Sequence, residues 1–314
     1  MVGLSWRLVA PLCLAFATPA FAQDASSWCK SKFGPDDQIG AANNLSPAAT
    51  LEAAKLIKTG KTYSLGVETN AKSPAYPPRA FSITVVQPGQ SAGATIGPTK
   101  TSYNDDIING WVGVGSQIDG LGHVGIDNVY YNCNKAADFA QTGGLTKLGI
   151  HNVPPIATRG VVLDFTNGGQ APLAAGTAIN KKEIDEAMQR QGVQIRKGDV
   201  VLLHTGYLPV ADKDPKAFLA GEPGLGKEGA EYLASKDVVA VGADQWALEV
   251  IPFEKGVGAF EVHQILLAKN GIHILENMNT APLVADKAWE FMFVLGPSRI
   301  TGAVQAIINP IAVR

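Results

Sequence analysis

Apolar runs alternate with short polar turns along most of this chain. Compact runs of Val, Leu, Ile and Ala without polar interruption are typical of strands buried on both faces. The strands predicted in this way are Thr62–Val67, Phe81–Val86, the extended segment Ile107–Asp119, Gly160–Phe165, Asp199–His204, Val238–Val241, Ile272–Glu276, Glu290–Leu295 and Ile307–Val313.

Other segments carry apolar residues at helical spacing between helix-start and helix-stop signals. Ser46-Pro47 and Gly60 bracket one of them, and Asn180-Lys181-Lys182-Glu183 has the form of a capping box that begins another. Two further helices are predicted at Gly226–Ser235 and Glu261–Ala268. After residue 156 strands and helices alternate, which predicts an α/β domain. No stretch has the composition of a linker, so we expect one domain over residues 23–314.

The first residues have the pattern of a secretory leader. Arg7 precedes the apolar run Leu8–Phe16, and Ala20-Phe21-Ala22 has the small-x-small form of a cleavage site. We expect cleavage after Ala22 and a periplasmic or secreted protein; the alternative is an uncleaved anchor. No long apolar run follows, so no membrane association is expected after cleavage.

Charge and cysteine content narrow the possible partners. The formal net charge is -2, and loss of Arg7 with the leader leaves -3, which favours neither nucleic acid nor an anionic membrane surface. Cys13 departs with the leader, so Cys29 and Cys133 remain. An oxidising compartment would allow them to form a disulfide. Two unpaired thiols are the equal alternative, and a zinc site is disfavoured because neither cysteine has a Cys or His neighbour at ligand spacing.

The segment Gly115–His123 concentrates the chemistry of the first half of the chain. In an extended segment Gln117 and Asp119 point to the same side, and the glycines before His123 allow the chain to turn back toward them. A carboxylate beside an imidazole suits water activation by a bound cation. The alternative is structural: a turn-capping aspartate and a core histidine.

A second group lies far downstream. His263 falls on a helix that is otherwise rich in Ile and Leu, and Glu276 ends an apolar strand. A carboxylate at the end of a buried strand is costly unless it is paired or binds a metal. The alternatives are a hydrogen-bonded core histidine and a glutamate that pairs with an arginine or caps a helix.

Together these segments resemble the cyclase family, to which kynurenine formamidases, isatin hydrolases and trans-dienelactone hydrolases belong. The family signature His-x-Gly-Thr-His-x-Asp-x-Pro-x-His aligns with Gly113–His123. The resemblance covers nearly all of the chain after the leader. Its supporting matches are Phe33-Gly34-Pro35-Asp36-Asp37, Ala42-Asn43-Asn44-Leu45, Arg159–Asp164, His204-Thr205-Gly206-Tyr207 and Gly271-Ile272.

The resemblance implies a mixed, partly barrel-like β-sheet flanked by helices, and a homodimer or homotetramer. It also implies a metal site. Two-metal members use both early motif histidines, the Asp and the late Glu for one ion; here those histidines are Gly113 and Gln117. The other set, Asp119, His263 and Glu276, is complete, so one divalent ion is expected, Zn²⁺ or Mn²⁺. Gln117 is a further candidate as ligand or as the group that orients water or substrate.

The last motif histidine, His123, is then the expected proton-transfer residue. The function expected is an exported metal-dependent hydrolase that opens a small cyclic amide or lactone. Tyr76, His204 and Trp246 are the candidates for the pocket wall, although side chains of these types more often belong to the core. Two alternatives stay open: an arylformamidase-type amide hydrolase, and a non-catalytic binding protein that kept the fold.

Overall fold

The computed structural model describes residues 28–86 and 95–314. The expected leader and its cleavage site at Ala22 lie outside these residues. Among the residues described, no helix combines the length and apolar character needed to cross a membrane.

A nine-stranded mixed sheet forms the centre of the molecule, and the remaining strands form separate two-stranded sheets. The strands in chain order are β1 Thr62–Ser64, β2 Phe81–Val86, β3 Asp105–Gly110, β4 Gln117–Asp119, β5 Val129–Tyr130, β6 Asn134–Lys135, β7 Ala140–Gln141, β8 Gly144–Leu145, β9 Ile156–Asp164, β10 Ala178–Ile179, β11 Val200–His204, β12 Gly224–Leu225, β13 Ala240–Ala243, β14 His273–Glu276, β15 Glu290–Leu295, β16 Gln305–Ile307 and β17 Ile311–Val313. The large sheet has the order β1-β17-β15-β9-β11-β13-β14-β4-β16.

Short helices cover this sheet. They are α1 Pro47–Ala54, α2 Ala136–Phe139, α3 Lys181–Gln191, α4 Val210–Lys213, α5 Pro215–Ala220, α6 Lys227–Ser235, α7 Glu261–His263, which continues as a π-helix over Gln264–Lys269, and α8 Ala281–Ala285. Strands β9, β11, β13 and β14 run parallel and are almost wholly buried, with one hydrophobic cluster on each side of the sheet. The architecture is therefore an α/β single domain.

The last two strands force the sheet to curl. β16 and β17 are separated in sequence only by Ile308–Pro310, yet they lie seven places apart in the strand order, with β16 at one end and β17 next to the other. In a flat sheet they would be about 34 Å apart at about 4.8 Å per strand, whereas so short a link spans about 15 Å at most. The two ends must therefore approach each other, which gives the partly barrel-like sheet that the resemblance implied.

Several predicted elements are confirmed. β2 and β15 have the predicted bounds, and α3 begins with the capping box at Asn180 and Glu183, with Ile184, Ala187 and Met188 buried. Ser46 caps α1 by accepting a hydrogen bond from the Ala49 backbone N–H at 3.1 Å.

Other predictions are wrong for identifiable reasons. The helix expected to reach Gly60 ends at Ala54, because Ala53 is its one buried residue and packing gives the following turn no support. The segment Ile107–Asp119 is broken into β3 and β4 by a bend between them. The single strand Ile307–Val313 is two strands, since Asn309-Pro310 interrupts it and its halves pair at opposite ends of the sheet.

The two remaining cysteines form a disulfide. Cys29 and Cys133 are joined across a sequence separation of 104 residues, and Cys29 is buried. The bond ties the N-terminal segment to the short helical turn Tyr131–Cys133. Of the alternatives that the sequence left open, the structure therefore has the disulfide.

Removing this disulfide should destabilise the protein. Because it closes a long loop, we expect Cys29→Ser/Cys133→Ser to lower the free energy of unfolding by about 2–4 kcal/mol. Urea denaturation of the oxidised protein and the variant measures the difference. The variant should not respond to reductant, whereas the reduced parent should match it; two free thiols in the unreduced, denatured parent would contradict the assignment.

Candidate metal centre

Strand register places four polar side chains on one face of the sheet. β4 lies between β14 and β16, with Gln117 opposite Glu276 and Asp119 opposite Gln305. Directly opposed residues of antiparallel strands share a face, as do residues two apart on one strand. The other face of the same strands carries Ile118, which packs in the core. One face of β4 therefore packs in the hydrophobic core, and the other face carries the polar side chains of the candidate site.

Asp119 is the most constrained of these side chains. It is fully buried, and its Oδ1 accepts hydrogen bonds from Gln305 Nε2 at 2.6 Å and from Gln117 Nε2 at 3.1 Å. Its Oδ2 is buried without a hydrogen-bond partner in the described part of the chain. A buried carboxylate oxygen without a donor is costly, which is the mark of a position for a cation.

His263 faces this orphaned oxygen. Its Nε2 lies 3.7 Å from Asp119 Oδ2 and 3.4 Å from Glu276 Oε1. On the opposite side of the ring, Nδ1 contacts Glu249 Oε1 at 2.6 Å. A hydrogen bond from Nδ1–H to that carboxylate leaves Nε2 as the free lone pair, the arrangement that orients metal-binding histidines.

The spacing of the donor atoms fits a small divalent ion. The three ligand atoms of Asp119, His263 and Glu276 all lie within 4.8 Å of one another. Tetrahedral ligands about 2.1 Å from a zinc ion lie about 3.4 Å from each other, close to the separations measured from His263. One histidine and two carboxylates are donors suited to Zn²⁺ or Mn²⁺. The three residues expected from the sequence are thus the ones that converge.

The electrostatics of the cluster point to missing positive charge. Burial and the neighbouring Asp119 charge raise the pKa of Glu276 to about 7. Burial lowers the pKa of His263, but the carboxylates Asp119, Glu249 and Glu276 outweigh it and raise that pKa well above its ordinary value. Burial also opposes ionisation of Asp119, yet the His123 and His263 interactions lower its pKa to about 2. In the metal-free protein, protons on Glu276 and His263 therefore offset the negative charge of the buried carboxylates. A bound cation would take over that role.

His123 reaches the same cluster from a tight turn. The His123 backbone N–H donates to the Gly120 carbonyl at 3.0 Å, and Nε2 lies 3.9 Å from Asp119 Oδ2. About a fifth of the side chain is exposed, so it lies on the open side of the cluster. Burial lowers the pKa of His123, which keeps the ring neutral near pH 7 and able to accept a proton.

Gln117 presents its amide nitrogen to the cluster. Its Nε2 donates to Glu276 Oε2 at 2.6 Å as well as to Asp119. In this arrangement the Gln117 amide nitrogen bridges the two carboxylates.

The expected pocket residues are divided between two places. Tyr76 and Trp246 stack with ring centroids 5.4 Å apart. The Trp246 backbone N–H donates a hydrogen bond to the buried Glu222 carboxylate. His204 instead contacts Thr280 Oγ1 through Nδ1 at 2.7 Å and lines a cavity of about 500 Å³ that includes none of the three ligands.

Three residues at or beside the site were not identified from the sequence: Glu249, Gln305 and Arg79, whose Nη1 donates to the Gly113 carbonyl at 3.1 Å. Glu249 and Gln305 did leave a signal, because each is an isolated polar residue inside an apolar run, Ala247–Ile251 and Ala303–Ile308. A lone polar side chain in a buried run needs a partner. Arg79 follows Tyr76-Pro77-Pro78, and nothing in that pattern distinguishes it from a surface arginine.

Glu249 should control metal affinity through His263. Glu249→Gln keeps the shape but removes the charge that fixes the His263 tautomer, so we expect affinity for Zn²⁺ or Mn²⁺ to fall about tenfold or more. Chelator competition measures it. Glu228→Gln, which removes an exposed glutamate, is the matched control and should change nothing. Equal affinities for both variants would contradict the positioning role.

Metal stabilisation should grow with pH. Glu276 and His263 bind protons more strongly in the folded metal-free protein than in the unfolded chain. Their protonation therefore stabilises the fold fully below their ordinary pKa values, and this stabilisation is lost as pH rises through their raised pKa values. The lowered pKa of Asp119 acts only in the acid range. A bound ion replaces those protons.

We therefore expect the increase in melting temperature caused by a fixed Mn²⁺ concentration to be small at about pH 5 and larger at about pH 8. Differential scanning fluorimetry across that range measures it. Asp119→Asn should show little increase at any pH. An increase that shrinks as pH rises would contradict the cluster as the binding site.

Comparisons with known proteins agree with this architecture. The family model described as a putative cyclase matches residues 63–250. None of the curated proteins compared with the chain matches it. A solved structure described as a novel cyclase is 31% identical, covers 91% of this chain and 99% of its own, and superposes with a TM-score of 0.83.

More distant structures share the fold. Isatin hydrolase A from Ralstonia solanacearum is 17% identical with a TM-score of 0.62, covering 85% of this chain and 95% of its own. A potential metal-dependent hydrolase with cyclase activity is 19% identical with a TM-score of 0.53, covering 80% and 98%. The family model and the 31% identical cyclase place this chain in the cyclase family.

Proposed function

We propose that this protein is a metal-dependent hydrolase that opens a small cyclic amide or lactone and uses one divalent ion, Zn²⁺ or Mn²⁺. The observation that carries the proposal is that Asp119 Oδ2 is buried without a hydrogen-bond partner among the described residues. It faces His263 and Glu276, and the three ligand atoms lie within 4.8 Å of one another. Similar structures named as isatin hydrolases and as metal-dependent hydrolases support the reaction class.

A single ion is favoured because neither early motif position carries an imidazole. Gly113 occupies a position where the family has a ligand histidine. The ends of the Gln305 and Arg79 side chains lie beside it, 2.7 Å and 2.9 Å from where a Cβ would stand. Gln117, at the other histidine position, donates hydrogen bonds to the carboxylates.

The protein's own residues divide the work. Asp119, His263 and Glu276 would hold the ion, and Glu249 fixes the orientation of His263. A divalent ion in this position supplies Lewis acidity toward a carbonyl group and lowers the pKa of water. His123, neutral and partly exposed, takes the proton from the attacking water and returns it to the leaving nitrogen or oxygen.

Export and a homodimer or homotetramer remain predictions. The leader pattern in residues 1–22 supports export. Exposed apolar side chains of the β2–β3 hairpin, among them Ile83, Val85, Ile107 and Ile108, support self-association.

Metal-dependent turnover on a chemical panel tests the proposal. We expect a lactone or a cyclic imide, rather than an N-formyl aromatic amide, to be hydrolysed by the protein loaded with Zn²⁺ or Mn²⁺ and not after chelation. Best turnover of the N-formyl aromatic would favour an arylformamidase. Metal binding without turnover of any panel member would favour a non-catalytic binding protein.

His123→Ala separates metal binding from proton transfer. Because His123 is not among the three ligands, the variant should keep its metal, while kcat falls about 100-fold or more through loss of general acid–base catalysis. Metal analysis and steady-state kinetics give the two readouts. His151→Ala, on a histidine outside the cluster, is the matched control. Unchanged kcat in His123→Ala would remove the role assigned to this residue.

A further inference from the structure

Arg79 brings a positive charge to the edge of the metal centre. Its Nη1 donates a hydrogen bond to the Gly113 carbonyl at 3.1 Å, and the side chain is half-buried. The same atom lies 2.9 Å from the position that a Cβ at Gly113 would take. The absence of a side chain at Gly113 thus makes room for the guanidinium.

Gln305 connects this charge to the metal ligands. Its Oε1 lies beside the same empty Cβ position as Arg79 Nη1, and its Nε2 donates to Asp119 at 2.6 Å. The Arg79 guanidinium and the Gln305 amide therefore lie at the same edge of the candidate site, and Gln305 is in direct contact with Asp119.

The Arg79 guanidinium makes few polar contacts within the described part of the protein. Over residues 28–86 and 95–314 the Gly113 carbonyl is its one hydrogen-bond acceptor, and no carboxylate lies within salt-bridge distance of it. By contrast, the buried Arg159 is clamped between Asp199 and Glu290. A half-buried guanidinium with free N–H donors is prepared for a planar anion, since its fork matches a carboxylate in a bidentate arrangement.

We propose that Arg79 binds the carboxylate group that ring opening generates, and that its guanidinium receives the acyl oxygen as negative charge develops on it. This inference rests on the proposed hydrolase function. Water adds to the acyl carbon, the acyl–oxygen or acyl–nitrogen bond breaks, one proton passes to the leaving atom, and the acid formed loses its remaining proton. The product carries a new carboxylate, which is the ligand that Arg79 fits.

The structure also assigns a reason for the unusual motif. Gly113 and Gln117 remove two imidazoles. The Gln117 and Gln305 amides donate to the cluster's carboxylates, and Arg79 brings further N–H donors to the same region. A fixed cationic donor at this edge stabilises an oxyanion without a second ion. Specificity then favours substrates whose acyl oxygen can lie between the metal ligands and Arg79.

Binding of a simple carboxylate tests this without any turnover. The probe is benzoate, titrated by calorimetry into the Mn²⁺-loaded protein, with benzamide as its neutral counterpart. We expect benzoate to bind in preference to benzamide, and Arg79→Gln to weaken benzoate binding about tenfold or more. Arg79→Lys keeps the charge but loses the fork, so it should fall between the two. Arg299→Gln, which removes an exposed arginine, is the matched control and should behave as wild type.

Metal content distinguishes the outcomes. Removing a cation beside the ligand carboxylates should leave Mn²⁺ affinity unchanged or higher in Arg79→Gln. Benzoate affinity that is equal in wild type and Arg79→Gln would overturn the proposal, because the ion alone would then hold the anion. Failure of wild type to bind benzoate would overturn it also. Absence of turnover on the hydrolase panel, with Arg79-dependent benzoate binding retained, would count against the hydrolase function and not against this anion site.

Discussion

Burial of the Asp119 carboxylate beside Glu276 is the constraint around which this protein is organised. Two carboxylates on one buried face repel each other and lose hydration, and their cost is large unless donors and positive charge surround them. The surrounding residues meet that need: Gln117 and Gln305 donate to one side, and His263 faces the other. Asp119 Oδ2, the oxygen left without a donor among the described residues, is the position where a cation would bind.

The curl of the sheet brings these groups together. Asp119 and Gln305 come from strands at one end of the strand order, and Glu276 from the neighbouring strand. The short link between β16 and β17 draws the two ends of the sheet toward each other. Ser116, directly before β4, then accepts from the Val67 backbone N–H at 2.8 Å and donates to the Asn277 carbonyl at 2.6 Å. The segment before the site is thereby held by chain from both ends of the sheet.

The sequence predicted the class of the fold because buried strands and a helix of clear period depend on local pattern. Asp119, His263 and Glu276, which the structure brings together, were identifiable by residue type and by resemblance. The bend that divides Ile107–Asp119, and the separation of β16 from β17, depend on pairing between distant strands, which local pattern does not encode. Gln305 and Glu249 stand out locally as single polar residues in apolar runs, but their roles depend on contacts with residues far away in sequence, which the pattern does not identify.

The geometry at Gly113 gives the departures from the family motif a common physical cause. Loss of a side chain there is not a neutral deletion, because the space is taken by Arg79 and Gln305, which have hydrogen bonds of their own. Gln117 likewise exchanges an imidazole for an amide that donates to the carboxylates it adjoins. The change at Gln117 replaces a group that could bind a cation with one that donates hydrogen bonds, and the change at Gly113 leaves room for the Arg79 guanidinium. Under the proposed function, such a site would bind a second ion less well than a site with two imidazoles, while the positive charge of Arg79 would be available to stabilise a developing negative charge.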